Sequence, residues 1–247
     1  MELRQRGPGR QTANGSPYHP LDTDDDKKRR GNDVLGYRHW LLALIVLGSV
    51  YAAVVAFHLK LPPVRLGTDY AEFSEERARI FLREKQAVPM LRKRLEQAQD
   101  AAAETGVNRV EIDTQHPTGC FDLKFLSAFT LCYENVTNVI ARVGPKKGPA
   151  DHALLLNCHI DTMPDTPGAT DDAVSCAIML EILDILAHSE QQLKYDVVFL
   201  FNGAEENFLQ GAHGFIETHA WRHTIRAFIN LEGTGSGGRE ILFQVRQ

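Results

Sequence analysis

The residues of this sequence best suited to chemistry are a histidine and a set of acids. "CHID" carries His159 and Asp161, "ATDDA" carries Asp171 and Asp172, "AEEN" carries Glu205 and Glu206, and "NLEG" carries Glu232. A lone His-x-Asp or a pair of adjacent acids is ordinary surface chemistry. Here the groups recur at the ends of apolar runs: "LLLNC" leads into His159, "DVVFLFN" into Glu205 and Glu206, and "RAFIN" into Glu232. If these runs are parallel strands, their exits share one rim. Carboxylates crowded on that rim repel and raise one another's pKa unless a cation sits among them. Zinc suits such a set, taking imidazole nitrogen and carboxylate oxygen at about 2.0–2.2 Å.

The elements that must position these groups are legible in the hydrophobic pattern. Strands are expected at "NRVEID", "TNVIARV", "ALLLNC", "YDVVFLFN" and "RAFINLE". From Leu154 onward they are continuously apolar, as befits a sheet covered on both faces. Helices are expected from Asp172 to about His188 and around "LQGAHGFIETHAW". A third helical stretch lies in "FSEERARIFLREKQAVPMLRKRLEQAQDAAAE", with Ser74 as N-cap and Pro89 as an interruption. In the helix after the aspartates, only Glu181, Asp184 and His188 form a polar stripe. Alternating strands and helices predict an α/β fold: a mixed, largely parallel sheet sandwiched by helices. The rim where strands end and helices begin is where such sheets bind ligands.

The chain has 247 residues, a hydrophobic fraction of 43% and a formal charge of −5, so nothing overall favours nucleic acid. Residues 1–39 are polar and predicted to be a disordered cytosolic tail. Residues 40–58 are predicted to be a transmembrane signal anchor: "WLLALIVLGSVYAAVVAF" carries no charge and spans ~27 Å as a helix, about the thickness of an endoplasmic-reticulum bilayer. Lys27, Lys28, Arg29, Arg30 and Arg38 precede it, so the N-terminus is expected in the cytosol. Residues 59–66 read as a linker and 67–247 as a lumenal domain. Cys120, Cys132, Cys158 and Cys176 all follow the anchor, an even number suited to an oxidising compartment. "NVT" at Asn135 is an N-glycosylation acceptor, whereas "NGS" at Asn14 would not meet the glycosylation machinery.

The ordered set "NCHIDT…PGATDDA…FNGAEEN…INLEG" resembles the co-catalytic dizinc exopeptidases, a family that includes secreted bacterial aminopeptidases and glutamate carboxypeptidase. The resemblance implies that His159, Asp171 and Glu232 hold one zinc, with Asp171 bridging to a second held by Glu206. It implies that Asp161 accepts a hydrogen bond from the far ring nitrogen of His159. Glu205 would be the general base of a metal-assisted peptide hydrolysis, taking a proton from water and returning it to the leaving amine. Many family members have Asp where this chain has Glu232. A Cys158–Cys176 disulfide is expected to clamp the metal loop.

The family also requires a further His well downstream of Glu232, and "GTGSGGREILFQVRQ" has none. His213, His219 and His223 precede Glu232 and read as packing or surface residues. The expectation is therefore a C-terminally incomplete domain with one zinc rather than two, and little or no activity. Two other functions compete: a non-catalytic, peptidase-like membrane protein, and a single-zinc aminoacyl cyclase on a similar fold. The glycines of "GTGSGG" fit a dinucleotide fingerprint in spacing, but "REILFQ" after them reads as strand where that fingerprint requires a helix.

Overall fold

The computed structural model describes residues 36–61, 63–67, 69–83, 88–124, 128–147, 151–233 and 241–245. The Asn14 sequon and all but the last residues of the 1–39 segment lie outside them. The chain divides into two units, Met1–Lys60 and Leu61–Gln247.

The first unit contributes one helix, α1 (Tyr37–Leu59), which contains the whole apolar run. It begins three residues before the apolar run because the Gly36 carbonyl accepts the His39 N–H at 2.9 Å, so Tyr37–His39 are helix rather than tail. None of its residues is buried. A helix apolar on all sides finds no favourable surface in water, and α1 is long and apolar enough to cross a membrane.

The second unit runs α2 (Glu75–Arg83), α3 (Val88–Thr105), β1 (Asn108–Gln115), β2 (Gly119–Leu123), β3 (Phe129–Tyr133), β4 (Asn138–Pro145), β5 (Ala153–His159), α4 (Val174–His188), β6 (Asp196–Asn202), α5 (Gln210–Thr218) and β7 (Ile225–Asn230). The main sheet has the order β1-β4-β6-β5-β7. β4 pairs antiparallel with β1 and β6, while β5 pairs parallel with both β6 and β7. β1, β5, β6 and β7 therefore point the same way, which makes the sheet mixed and largely parallel. The expected helix around Pro89 resumes as α3 at Val88, with Pro89 in its first turn, where a missing N–H costs nothing.

Helices pack on both faces. On one, Leu95 of α3 and Met179 and Leu183 of α4 bury against Leu156, Phe199 and Phe201. On the other, Phe215 of α5 covers Ile140, Leu155, Val198 and Leu200. The polar stripe of α4 faces protein rather than solvent. Glu181 is fully buried and accepts the Ser74 N–H at 2.8 Å and both Nε and Nη2 of Arg77, the latter at 2.6 Å. His188 stacks on Tyr70 with ring centroids 3.7 Å apart. Ser74 accepts the Arg77 N–H at 3.4 Å, as its position before α2 predicts.

Two features differ from the sequence reading, one not anticipated and one a correction. β2 and β3 form a separate hairpin in which Cys120 and Cys132 lie directly opposite and are disulfide-bonded. The residues of "REILFQ" that are described are irregular, not strand, and Ile241, Leu242 and Phe243 are exposed.

Removing one partner from a buried ion pair strands the other charge and costs about 3–5 kcal/mol. Glu181→Ala should therefore lower the urea unfolding free energy of the detergent-solubilised chain by about that amount. Glu96→Ala, which removes the exposed Arg92–Glu96 pair, should cost under about 0.5 kcal/mol. Equal losses would contradict this view of the α2–α4 contact.

Candidate metal centre

The parallel pairing of β5 with β6 and β7 brings the three strand exits side by side. His159, the last residue of β5, is opposite Asn202 at the end of β6, and Asn157 is opposite Asn230 at the end of β7. Glu205 and Glu206 follow β6 directly, and Glu232 follows β7. The approach between the 169–173 turn and the exit of β7 is tight: a Cβ on Gly233 would collide with the Thr170 carbonyl. That contact sets Glu232 beside the aspartates. Asp171 and Asp172 have non-helical backbone within the turn Ala169–Ala173 and are joined by a cis peptide bond.

His159 is 2% exposed and lies at the centre of the group. Its Nδ1 donates to the Asp161 carbonyl at 2.9 Å. A carbonyl can only accept, so this bond keeps the proton on Nδ1 and leaves the lone pair of the neutral ring on Nε2. Around Nε2 stand Asp171 Oδ1 at 3.0 Å, Glu232 Oε1 at 3.4 Å, Glu205 Oε2 at 3.8 Å and Asp172 Oδ2 at 3.9 Å. The ligand atoms of His159, Asp172 and Glu232 lie within 4.8 Å of one another.

Three carboxylate oxygens in this cluster are buried without a donor: Asp171 Oδ1, Asp172 Oδ1 and Glu206 Oε1. Asp171 Oδ1 is near the ring nitrogen but outside hydrogen-bond geometry. Buried polar atoms are almost always paired, and a buried anion without a partner is costly. An orphaned oxygen beside the imidazole nitrogen, with three further carboxylates within 4 Å of that nitrogen, fits a cation. The donor set, one nitrogen and several carboxylate oxygens, fits zinc.

One sequence-predicted residue sits differently from its expected role, and one without an assigned role is buried in the cluster. The Asp161 carboxylate is 3.7 Å from the His159 ring, and it is the Asp161 main-chain carbonyl that takes the Nδ1 proton. The carboxylate instead accepts the N–H groups of Glu205 at 3.0 Å and Glu206 at 3.2 Å, fixing the loop after β6. Asp172, given no role by the motifs, is fully buried, and its Oδ2 accepts the His159 N–H at 3.1 Å. Cys158 and Cys176 are joined by a disulfide, tying the residue before His159 to the start of α4. His213 pairs with Tyr133 at 2.7 Å, His219 with Asp113 at 3.1 Å, and His223 with Arg222 at 3.2 Å. Among the described residues, His159 is the one imidazole in the cluster.

The metal-free electrostatics reflect this crowding. Burial opposes charge on His159, but neighbouring Asp161, Asp172 and Glu205 outweigh it and raise the ring pKa to about 10. Burial lifts Asp172 to about 7, against the hydrogen bonds from Ser175 and the His159 N–H. Burial also raises Glu205; His159 partly offsets this, while Glu232, Glu206 and Asp161 add repulsion. Asp161 moves the other way, because His159 and the two loop N–H groups overcome its burial.

Comparison with known proteins finds similar sequences for the segment that carries this geometry. Residues 138–247 match the model of Peptidase family M28. That segment is similar to the family over its whole matched length. It is 56% identical over 261 residues to putative endoplasmic reticulum metallopeptidase 1-A of Caenorhabditis elegans, covering 99% of this chain and 29% of that protein. Identity to endoplasmic reticulum metallopeptidase 1 of Rattus norvegicus is 54% over 138 residues, 56% of this chain and 15% of the relative. The chain thus spans less than a third of the length of these relatives. Among solved structures it is similar to the LapA aminopeptidase of Legionella pneumophila, with a TM-score of 0.48 and 18% identity over 71% of this chain and 49% of that one. The M28 match begins at Asn138, the first residue of β4, and includes every residue of the cluster.

Since the metal-free His159 ring holds its proton up to about 10, a cation must displace it. Zinc affinity, measured by competition with a chromogenic chelator, should rise about tenfold per pH unit between about pH 7 and 9. It should rise more steeply below about pH 7, where Asp172 must also lose a proton. An affinity independent of pH would contradict this site.

Proposed function

We propose that the M28 domain of this chain is a zinc-dependent exopeptidase module, tethered by α1 to the endoplasmic reticulum membrane with its site in the lumen. The observation that carries the reading is the convergence of four carboxylates within 4 Å of His159 Nε2, one of them through an orphaned oxygen. His159, Asp171 and Glu232 would hold one zinc, with Asp172 supporting His159 and adding a further oxygen. Glu206 would face a second zinc in the family's dizinc pattern. With one imidazole in the cluster among the described residues, one zinc per chain is the proposed occupancy.

Bound zinc would supply a lowered pKa for a hydrolytic water and polarisation of the peptide carbonyl. Glu205 supplies the proton traffic. Its raised pKa suits a carboxylate that takes a proton from water near neutral pH and delivers it to the leaving amine. Its Oε2 faces the same space as the His159 ring, and Asp161 holds its main chain in place. Burial of His159 and Asp172 excludes water from the rear of the cluster, where electrostatic effects are stronger.

Membrane tethering rests on α1, and the lumenal assignment on the basic residues before it, as does the endoplasmic reticulum on the names of the relatives. Both disulfides lie after α1 and suit an oxidising lumen. Asn135 is exposed and available for glycosylation.

The test is chelator-sensitive hydrolysis of dipeptides and aminoacyl substrates, with zinc content measured in parallel. Slow turnover is expected, with Glu205→Gln lowering it by about 10²–10⁴-fold while zinc stays bound. His159→Ala should lose both. Zinc without any Glu205-dependent turnover would make the module a non-catalytic, peptidase-like one.

A further inference from the structure

A row of asparagines runs across the three parallel strands beneath the cluster, and nothing in the motifs accounts for it. Asn202 at the end of β6 donates from Nδ2 to Asn157 Oδ1 of β5 at 2.9 Å. Asn157 donates from Nδ2 to Asn230 Oδ1 of β7 at 2.6 Å. Asn230 donates from Nδ2 to Glu232 Oε2 at 3.5 Å. Asn202 and Asn157 are buried in strands that are otherwise apolar at their centres. Placing amides there costs stability, offset where they pair with one another; Asn202 Oδ1, at the far end of the row, is buried without a donor.

We infer that Asn157 and Asn230 are positioning residues that orient the Glu232 carboxylate toward the His159 metal site. The direction of the row follows from its end. A carboxylate only accepts, so Asn230 must present its NH₂ to Glu232 and turn its oxygen toward Asn157. Asn157 must then present its own NH₂ and offer its oxygen to Asn202. Asn202 closes the row with Nδ2, which also donates to the Cys158 carbonyl at 2.9 Å. Glu232 Oε2 is thereby drawn toward the strands, and Oε1 is left facing His159 Nε2 at 3.4 Å. The register makes this possible: Asn157 is directly opposite Asn230. Alternate residues of a strand share a face, so Asn157 sits below His159, while Glu232 lies two residues past Asn230, the last residue of β7. Glu has one more rotatable bond than Asp, so orienting it costs more entropy, and the row restricts that freedom.

The inference rests on the proposed zinc site, and the test separates the two. Zinc affinity of the full chain in detergent would be measured by chelator competition, with zinc as the only ligand. Asn230 is exposed, so Asn230→Ala removes no core side chain, although it takes the acceptor from the buried Asn157 amide, and it should weaken zinc by about 10- to 100-fold, the usual effect of losing an outer partner of a ligand. Asn157→Leu should do the same from the other side of the strand pair. In a Glu232→Ala background, Asn230→Ala should change affinity less than about twofold, because the group it orients is gone. Full affinity in Asn230→Ala, or an undiminished loss in the Glu232→Ala background, would overturn the inference while leaving the site in place. A wild-type chain whose zinc does not depend on His159 would overturn both.

Discussion

The crowding of carboxylates around one buried imidazole is the constraint from which the rest of the structure follows. Asp171, Asp172, Glu205 and Glu232 all come within 4 Å of His159 Nε2. In the low dielectric of a largely buried site, such groups would separate if their backbones allowed it. They are held from every side. The Asp161 carboxylate grips the loop of Glu205 and Glu206, Asp172 grips the His159 main chain, and the Cys158–Cys176 disulfide ties that strand to α4. The protein supplies the rigidity, and the repulsion it contains is what a divalent cation relieves.

The sheet is the source of that rigidity. Only parallel strands can present three successive exits on one rim, and β6, β5 and β7 are parallel neighbours. Parallel strands need crossovers, and α4 and α5 supply them while covering opposite faces. Closure of the α4 face depends in turn on Glu181, an acid far from the cluster whose pairing with Arg77 fastens α2 and the segment before it onto α4. Site and scaffold are one construction: the parallel strands β5, β6 and β7 each lead into residues of the cluster.

Much of this was legible in the sequence for a physical reason. Strands buried on both faces must be continuously apolar, so "ALLLNC" and "DVVFLFN" stand out, and the polar residues at their ends stand out by contrast. The hairpin β2–β3 was not legible because its strands are short and half exposed, so they show no apolar run. Which atom serves which partner was also beyond reach. Asp161 presents its carbonyl rather than its carboxylate to His159, a matter of local backbone direction that residue type does not encode. Asp171 and Asp172 are chemically identical neighbours, and only the 169–173 turn decides that one is half exposed and the other fully buried. The asparagine row carried a signal in the sequence: Asn157 and Asn230 each lie two residues before a cluster residue.

Anomalous diffraction at the zinc edge from crystals of the zinc-loaded chain tests the central claim most directly. The expected result is a peak bounded by His159 Nε2, the 169–173 aspartates and Glu232, about 2.0–2.2 Å from its ligand atoms. A zinc-loaded crystal whose peak lies away from His159, with these carboxylates paired to protein donors instead, would contradict the claim that the cluster is built for a cation.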